Sequence, residues 1–267
     1  MSQAATAARP LEGRHAAITG GGRGIGRAIA AALAARGASV SVLGRSGGML
    51  EAAVRELRST HGVAAGNALV DVADEASVRS ALEACLRERG RIDILVNNAG
   101  IAPSAPFLKS DADLWRRTLD VDLLGAVYAT QAVLPGMLAA GWGRVVNIAS
   151  TAGLTGMAYV TAYCAAKHAL IGFTRALAME TARKGVTVNA VCPGYADTDI
   201  VGDAIANIVA KTGRSREDAL ASLVAHNPQG RLIAPEEIGE TVGWLCSEAA
   251  CSVTGQSIVV AGGELMP

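Results

Sequence analysis

Short β-rich runs alternate with longer helical patterns along most of this chain, and that rhythm narrows the fold more than any other feature. Strand candidates fall at residues 15–19, 39–43, 68–70, 92–96, 144–149, 187–191 and 257–260, with helical stretches such as 24–36, 75–88 and 159–183 between them. A strand that returns to its sheet through a helix makes a right-handed βαβ crossover. The rhythm therefore predicts an α/β domain whose parallel sheet is covered on both faces. Of the 267 residues 51% are hydrophobic but only 3% are aromatic, so the core is built from Ala, Val, Leu and Ile. Such an interior suits helices packed closely on a parallel sheet. The rhythm breaks at 195–231, which reads as two short helices with loops following a strand. Insertions at the carboxyl ends of strands are where such sheets bind ligands. We read one domain, 14–267, with 195–231 as a substrate lid and 1–13 as a flexible tail.

Charge narrows the partners. Lys plus Arg equals Asp plus Glu, 24 each. A net charge of zero argues against broad electrostatic binding of nucleic acid or an anionic membrane. Two segments, 123–143 and 145–166, lack charge for about the length of a membrane span. They carry Gly, Pro, Asn, Gln and Thr, and are expected to be buried elements of an α/β domain. The first residues hold no apolar run of signal-peptide length. The five cysteines include no CxxC pair, which fits reduced thiols and a cytoplasmic location.

The stretch "AAITGGGRGIGRAIAAAL" crowds Gly20, Gly21, Gly22, Gly24 and Gly26 between the first strand and the first helix. Glycine costs conformational entropy, so a cluster calls for a backbone that must approach a ligand. At this junction backbone N–H groups and the helix N-terminus can hold a pyrophosphate. The GxGxxG spacing is absent; the order is Thr19-Gly20-x-x-x-Gly24-x-Gly26.

A second constellation lies downstream. Ser150 ends a strand, and Tyr163 and Lys167 stand four apart on a helical pattern, so they share a face. A nearby ammonium lowers a phenol from its ordinary value of ~10 and lets it serve as acid or base. Cys164 beside the tyrosine reads as core filling. His15, His61, His168 and His226 show no ligand spacing, and no metal is expected.

These motifs resemble the short-chain dehydrogenase/reductase family. TGxxxGxG, the "NNAG" of residues 97–100, Asp71 in "LVDV" and the "PGYADT" of residues 193–198 occur in the family's order over residues 14–263. The resemblance implies a Rossmann-type doubly wound sheet of about seven strands. It also implies hydride transfer between a nicotinamide and a carbonyl carbon. Tyr163 would supply or take the proton, Ser150 would orient the oxygen, and Lys167 would bind the nicotinamide ribose. Cofactor contacts are expected at Gly20, Gly22, Arg23, Gly24, Ile25, Gly26, Arg45, Asp71, Val72, Asn98, Ala99, Gly100, Tyr163, Lys167, Pro193, Gly194 and Thr198. The family also commonly forms homotetramers.

Strand two ends "VSVLGRS", with Gly44 where an NAD-selective site places an acid to bind the ribose 2′-hydroxyl. Arg45, with Arg23, suits a 2′-phosphate. NADP(H) is therefore the preferred cofactor and NAD(H) the alternative. The lid's Ile200, Val201, Ile205, Ile208 and Val209 either pack the lid on the domain or meet an apolar substrate, and Lys211, Arg214 and Arg216 follow them. The chain looks similar to 3-oxoacyl-thioester reductases and polyketide ketoreductases. A secondary-alcohol dehydrogenase and a non-catalytic dinucleotide-binding regulator are the competing readings. One departure stands out. Where the family carries asparagine in a VNxxG pattern, as part of a catalytic tetrad, this chain reads Val121-Asp122-Leu123-Leu124-Gly125. Asp122 is expected to keep the backbone carbonyl of that position and to add a negative charge near Lys167. That charge would oppose the Tyr163 phenolate.

Overall fold

The computed structural model describes residues 9–266. Seven strands form one sheet in the order β3-β2-β1-β4-β5-β6-β7, and every neighbouring pair is parallel. They are β1 (His15–Thr19), β2 (Ser39–Gly44), β3 (Ala65–Leu69), β4 (Ile94–Asn97), β5 (Gly143–Ile148), β6 (Val186–Pro193) and β7 (Ser257–Val260). The order reverses between β1 and β4. The crevice outside the carboxyl ends of these strands is the topological switch point.

Side chains alternate across a strand, and here both faces are covered. Ala16 and Ile18 of β1 enter one core with α1 (Gly24–Ala35), α2 (Gly47–His61) and α9 (Pro235–Leu245). Ala17 enters the opposite core with α3 (Glu75–Arg89), α5 (Gly125–Ala140) and the end of α6 (Thr161–Thr181). The same split divides Val146 from Val145 on β5. Two buried faces explain why β1 (HAAIT) and β5 (GRVVNI) carry adjacent apolar residues rather than a polar–apolar alternation.

The structure departs from the sequence expectations at several edges. The expected tail is shorter than 1–13: Leu11 is 1% exposed, and its N–H donates to Arg36 O at 2.9 Å. Arg9 to Gly13 thus pack on the end of α1; residues 1–8 of that tail lie outside the described residues. Strand β3 begins at Ala65, before the expected 68–70, because register with β2, not β-propensity, holds "AGNAL" extended. Strand β4 runs 94–97 rather than 92–96.

Helix α4 (Ala112–Leu119) passes through a π-helical turn at Asp120–Leu124 into α5. The continuous helix Ala112–Ala140 is long and apolar enough to cross a membrane by length and composition. It contains Pro135, and its inner side packs on β4, β5 and α3. Segment 195–231, the expected lid, contains α7 (Asp199–Thr212) and α8 (Arg216–Val224). Val201 and Ile205 close a small core with Ala219, while Ile200 stays 48% exposed. The apolar set is therefore divided: part packs the lid's own two helices together. A single parallel bridge, Ala196 with Ile233, ties the lid's two ends.

Candidate active site

The glycine loop leaves β1 and enters α1 through positions that only glycine fills without strain. Gly20 and Gly24 have φ of +65° and +50°, values at which a Cβ is strained. A Cβ on Gly26 would stand 2.2 Å from Gly20 O and 2.6 Å from Asn98 Nδ2. The loop thus folds back on itself and carries no side chain on that inner surface. Arg23, the residue before α1, makes no capping hydrogen bond with its side chain. The first amides of a helix have no partner within it, so an uncapped N-terminus beside bare backbone fits a dinucleotide pyrophosphate.

Residues from β1 and β4 fix this cradle. Asn98 Nδ2 donates to Thr19 O at 2.9 Å and to Gly20 O at 3.2 Å, and the Asn98 and Ala99 amides both donate to Thr19 Oγ1. Behind them Asn97 Nδ2 donates to Asn147 Oδ1 at 2.8 Å, and Asn147 Nδ2 donates to Thr174 Oγ1 at 2.8 Å. This buried chain binds β4 through β5 to α6 and stiffens the floor under the site.

Ser150 follows β5, extended, and its Oγ accepts from Ala152 N at 3.1 Å. Tyr163 and Lys167 lie on the first two turns of α6, with Lys167 Nζ 5.5 Å from the Tyr163 ring centre. Nζ donates to Ile148 O at 3.0 Å and reaches Asp122 Oδ1 at 3.1 Å. The Lys167 side chain is 4% exposed and that of Asp122 0%. Ile101 N–H also donates to the Asp122 carboxylate at 3.3 Å. Both neighbours of Asp122 are donors, which suits the acceptor-only ionised form. Gly100 makes room: a Cβ there would stand 2.7 Å from Asp122 Oδ1 and 3.4 Å from Lys167 Nζ. The expected proximity of Asp122 to the lysine is thus a direct ion pair.

Burial is the largest influence on all three titrating groups. It pushes the Tyr163 phenol up; Lys167 pulls down, the Asp122 charge pushes further up, and a hydrogen bond with Ser150 pulls down. Burial likewise raises Asp122, against the pull of Lys167. For Lys167 burial lowers, but the Asp122 and Tyr163 charges outweigh it and hold the ammonium above its ordinary value. The phenol therefore lies above its ordinary value, not below it as spacing alone suggests, because desolvation and Asp122 together exceed Lys167.

The peripheral residues are placed with more variety. Pro193 and Gly194 end β6 beside Ser150, and Val72 is buried against Gly125. Asp71 Oδ1 accepts from Ala73 N at 3.1 Å, its Oδ2 lies 3.4 Å from Arg117, and the exposed Arg45 lowers its pKa from a distance. Arg23 is not a free phosphate ligand. Its Nη1 donates to Asp199 Oδ2 at 2.8 Å, both side chains being more than half exposed. That pair, with Thr198 Cγ2 3.3 Å from where a Gly24 Cβ would be, brings the first turn of the lid against the glycine loop. Ile25 follows on α1 and packs partly buried against the core. Sequence reasoning missed Asp199 because its partner lies 176 residues away, and missed Glu264, which sits over Gly194, because no motif surrounds it.

Three comparisons place this geometry among known proteins. Residues 14–208 match the family model described as short chain dehydrogenase. The chain is 39% identical over 253 residues to the 3-oxoacyl-acyl-carrier-protein reductase FabG of Aquifex aeolicus, covering 95% of this chain and 98% of that protein. It is also 39% identical to the D-beta-hydroxybutyrate dehydrogenase of Cupriavidus necator, covering 92% and 95%. Among solved structures it superposes on a variant of the actinorhodin polyketide ketoreductase with NADPH at a TM-score of 0.90, with 37% identity, covering 94% and 97% of the two chains. Fold, loop and family agree over nearly the whole chain, which belongs to the short-chain dehydrogenase/reductase family and is an NAD(P)-dependent oxidoreductase acting on ketones and alcohols.

Proposed function

We propose that this enzyme reduces a 3-oxoacyl thioester or a related ketone of low polarity with NADPH, as a cytoplasmic homotetramer. The observation that carries the catalytic reading is the meeting of Ser150, Tyr163 and Lys167 at the carboxyl edge of β5, beside an open glycine cradle. NADPH held by the glycine loop would supply a hydride for the carbonyl carbon. Tyr163 Oη gives its proton to the carbonyl oxygen, and Ser150 Oγ holds that oxygen in place. Lys167 has three N–H groups. Two are directed to Asp122 and Ile148 O, which leaves the third for the ribose and for the field acting on Tyr163. Residues 14–267 serve as the catalytic domain and 195–231 as its lid. Family likeness supports the tetramer, as do the exposed apolar residues of α6, where Met179 is 84% exposed. The direct test follows oxidation of NADPH and NADH with a panel of ketones and 3-oxoacyl thioesters. Turnover of none of them would reject the reading.

Cofactor choice turns on the end of β2. Gly44 leaves no carboxylate for the ribose 2′-hydroxyl, and the exposed Arg45 offers a guanidinium for a 2′-phosphate. We expect kcat/KM with NADPH to exceed that with NADH by about tenfold, the scale of one good charge-assisted contact, and Arg45→Ala to erase the difference. A tenfold advantage for NADH would overturn the assignment.

The Asp122 charge should show in the pH profile. With aspartate present, loss of one proton from the Tyr163–Lys167 pair leaves the site with a net negative charge; with asparagine it leaves the site neutral. Whichever partner gives up the proton, it leaves at lower pH in Asp122→Asn. Measured in the alcohol-oxidising direction, the alkaline shoulder should move to lower pH while the maximum rate changes little. Cys192 on β6 and Tyr195 are further titratable neighbours; burial pushes Cys192 up to about 11 and raises Tyr195 as well. An unmoved shoulder would show that Asp122 does not act on the catalytic pair.

A further inference from the structure

After β7 the chain hooks back across the sheet's carboxyl edge. Gly262 and Gly263 turn it with φ of +61° and +91°, a conformation other residues adopt only under strain. Glu264 is thereby laid over Gly194. A Cβ on Gly194 would stand 2.6 Å from Glu264 Oε2, so the carboxylate rests on bare backbone at the end of β6. The hook is braced on several sides. Glu264 N–H donates to Ala261 O at 3.0 Å, Gly194 N–H donates to Val260 O at 3.1 Å, and the buried Asn227 and neighbouring Pro228 lie against Gly262 and Gly263.

The hook stands beside the strand end that carries Ser150. Ile148 pairs with Val191, so Ser150, two residues on, and Gly194, three residues on, stand at adjacent strand ends. Tyr195 follows Gly194, and the charges of Glu264, Tyr163 and Cys164 all act on its phenol. The carboxylate of Glu264 is half-buried yet accepts no hydrogen bond and joins no ion pair among the described residues. Burial raises its pKa, with only the exposed His226 pulling the other way. Across the site Lys167 is already paired with Asp122. A half-desolvated acceptor without a donor is stabilised by any ligand that brings one. A second carboxylate brought beside it meets repulsion from the Glu264 charge.

We propose that Glu264 selects the substrate, accepting a hydrogen bond from a neutral, donor-bearing carbonyl compound, such as the amide arm of a thioester, and turning away free oxo acids. This rests on the proposed reductase function and decides within it. Of two relatives equal in identity, one is named for a 3-oxoacyl thioester and the other for hydroxybutyrate, a free acid. The Glu264 carboxylate favours the thioester.

The matched probes are acetoacetate and its N-acetylcysteamine thioester, which present the same ketone with and without a carboxylate. With NADPH the unaltered enzyme should show a kcat/KM at least 100-fold higher for the thioester. Glu264→Gln keeps the shape, loses the charge and gains a donor for a carboxylate. It should shrink that ratio at least fivefold, chiefly by lowering KM for acetoacetate, and leave KM for NADPH unchanged. A ratio below 100-fold in the unaltered enzyme, a smaller shrinkage in the variant, or an effect confined to NADPH would overturn the role of Glu264 and leave the reductase function standing. Reduction of neither probe with either cofactor would instead reject the 3-oxoacyl reading, and this inference with it.

Discussion

Tyr163→Phe is expected to cut turnover at least ~100-fold, the scale of general acid help, while dinucleotide binding persists. The substitution removes the transferable proton and keeps the ring that packs on α6. The two effects separate because the cradle is built elsewhere. Gly20 and Gly26 pack against Asn98, which is tied to Thr19 and Gly20, and Gly24 lies against Thr198. The raised phenol adds a second, kinetic signature. Burial and Asp122 together keep Tyr163 protonated at neutral pH, so carbonyl reduction, which needs the acid form, should stay level from neutral pH until the phenol titrates. Alcohol oxidation, which needs the base form, should climb over the same range. Steady-state rates in both directions, with dinucleotide affinity by fluorescence titration, check the expectation. Turnover within a few-fold of the unaltered enzyme would remove Tyr163 from the mechanism.

What sequence made legible was what local chemistry decides. Strand β1 and strand β7 have the bounds that β-rich runs between turn residues imply, and the glycine spacing located the loop because φ > 0 and backbone contact leave few alternatives to glycine. Strand β3 was misplaced because "AGNAL" has little strand character of its own and is held by pairing with β2. Leu11 carries no periodic signal in sequence; its burial at the end of α1 depends on where the chain's first turn goes. Pairings across long separations were the least visible. Arg23 looked like a phosphate ligand because its own loop argues for one, and nothing local announces Asp199 on the lid. The charge of Asp122 was readable as a departure from a pattern, but its ion-pair geometry, its depth and the role of Gly100 in admitting it belong to the fold.

Lys167→Met is expected to destabilise the protein as well as silence it. Removing one partner of a buried ion pair strands the other, at a cost of about 3–5 kcal/mol. Here the stranded group is Asp122, 0% exposed, with the Ile101 amide as the one donor left among the described residues. Its escape is to take up a proton, since burial already raises its pKa and Lys167 no longer opposes that. A carboxyl whose folded value exceeds its unfolded value of ~3.9 binds protons preferentially in the folded state, so stability must fall as pH rises above the unfolded value. The destabilisation of Lys167→Met should therefore be largest at pH 8 and shrink toward pH 5, the reverse of acid denaturation. Asp122→Asn added to Lys167→Met removes the stranded charge and should restore most of the loss at pH 8 without restoring activity. Urea unfolding at both pH values, run as a double-mutant cycle, measures the coupling. A loss independent of pH, or a double variant no more stable than Lys167→Met alone, would mean that the lysine is held by packing of its alkyl chain rather than by the carboxylate.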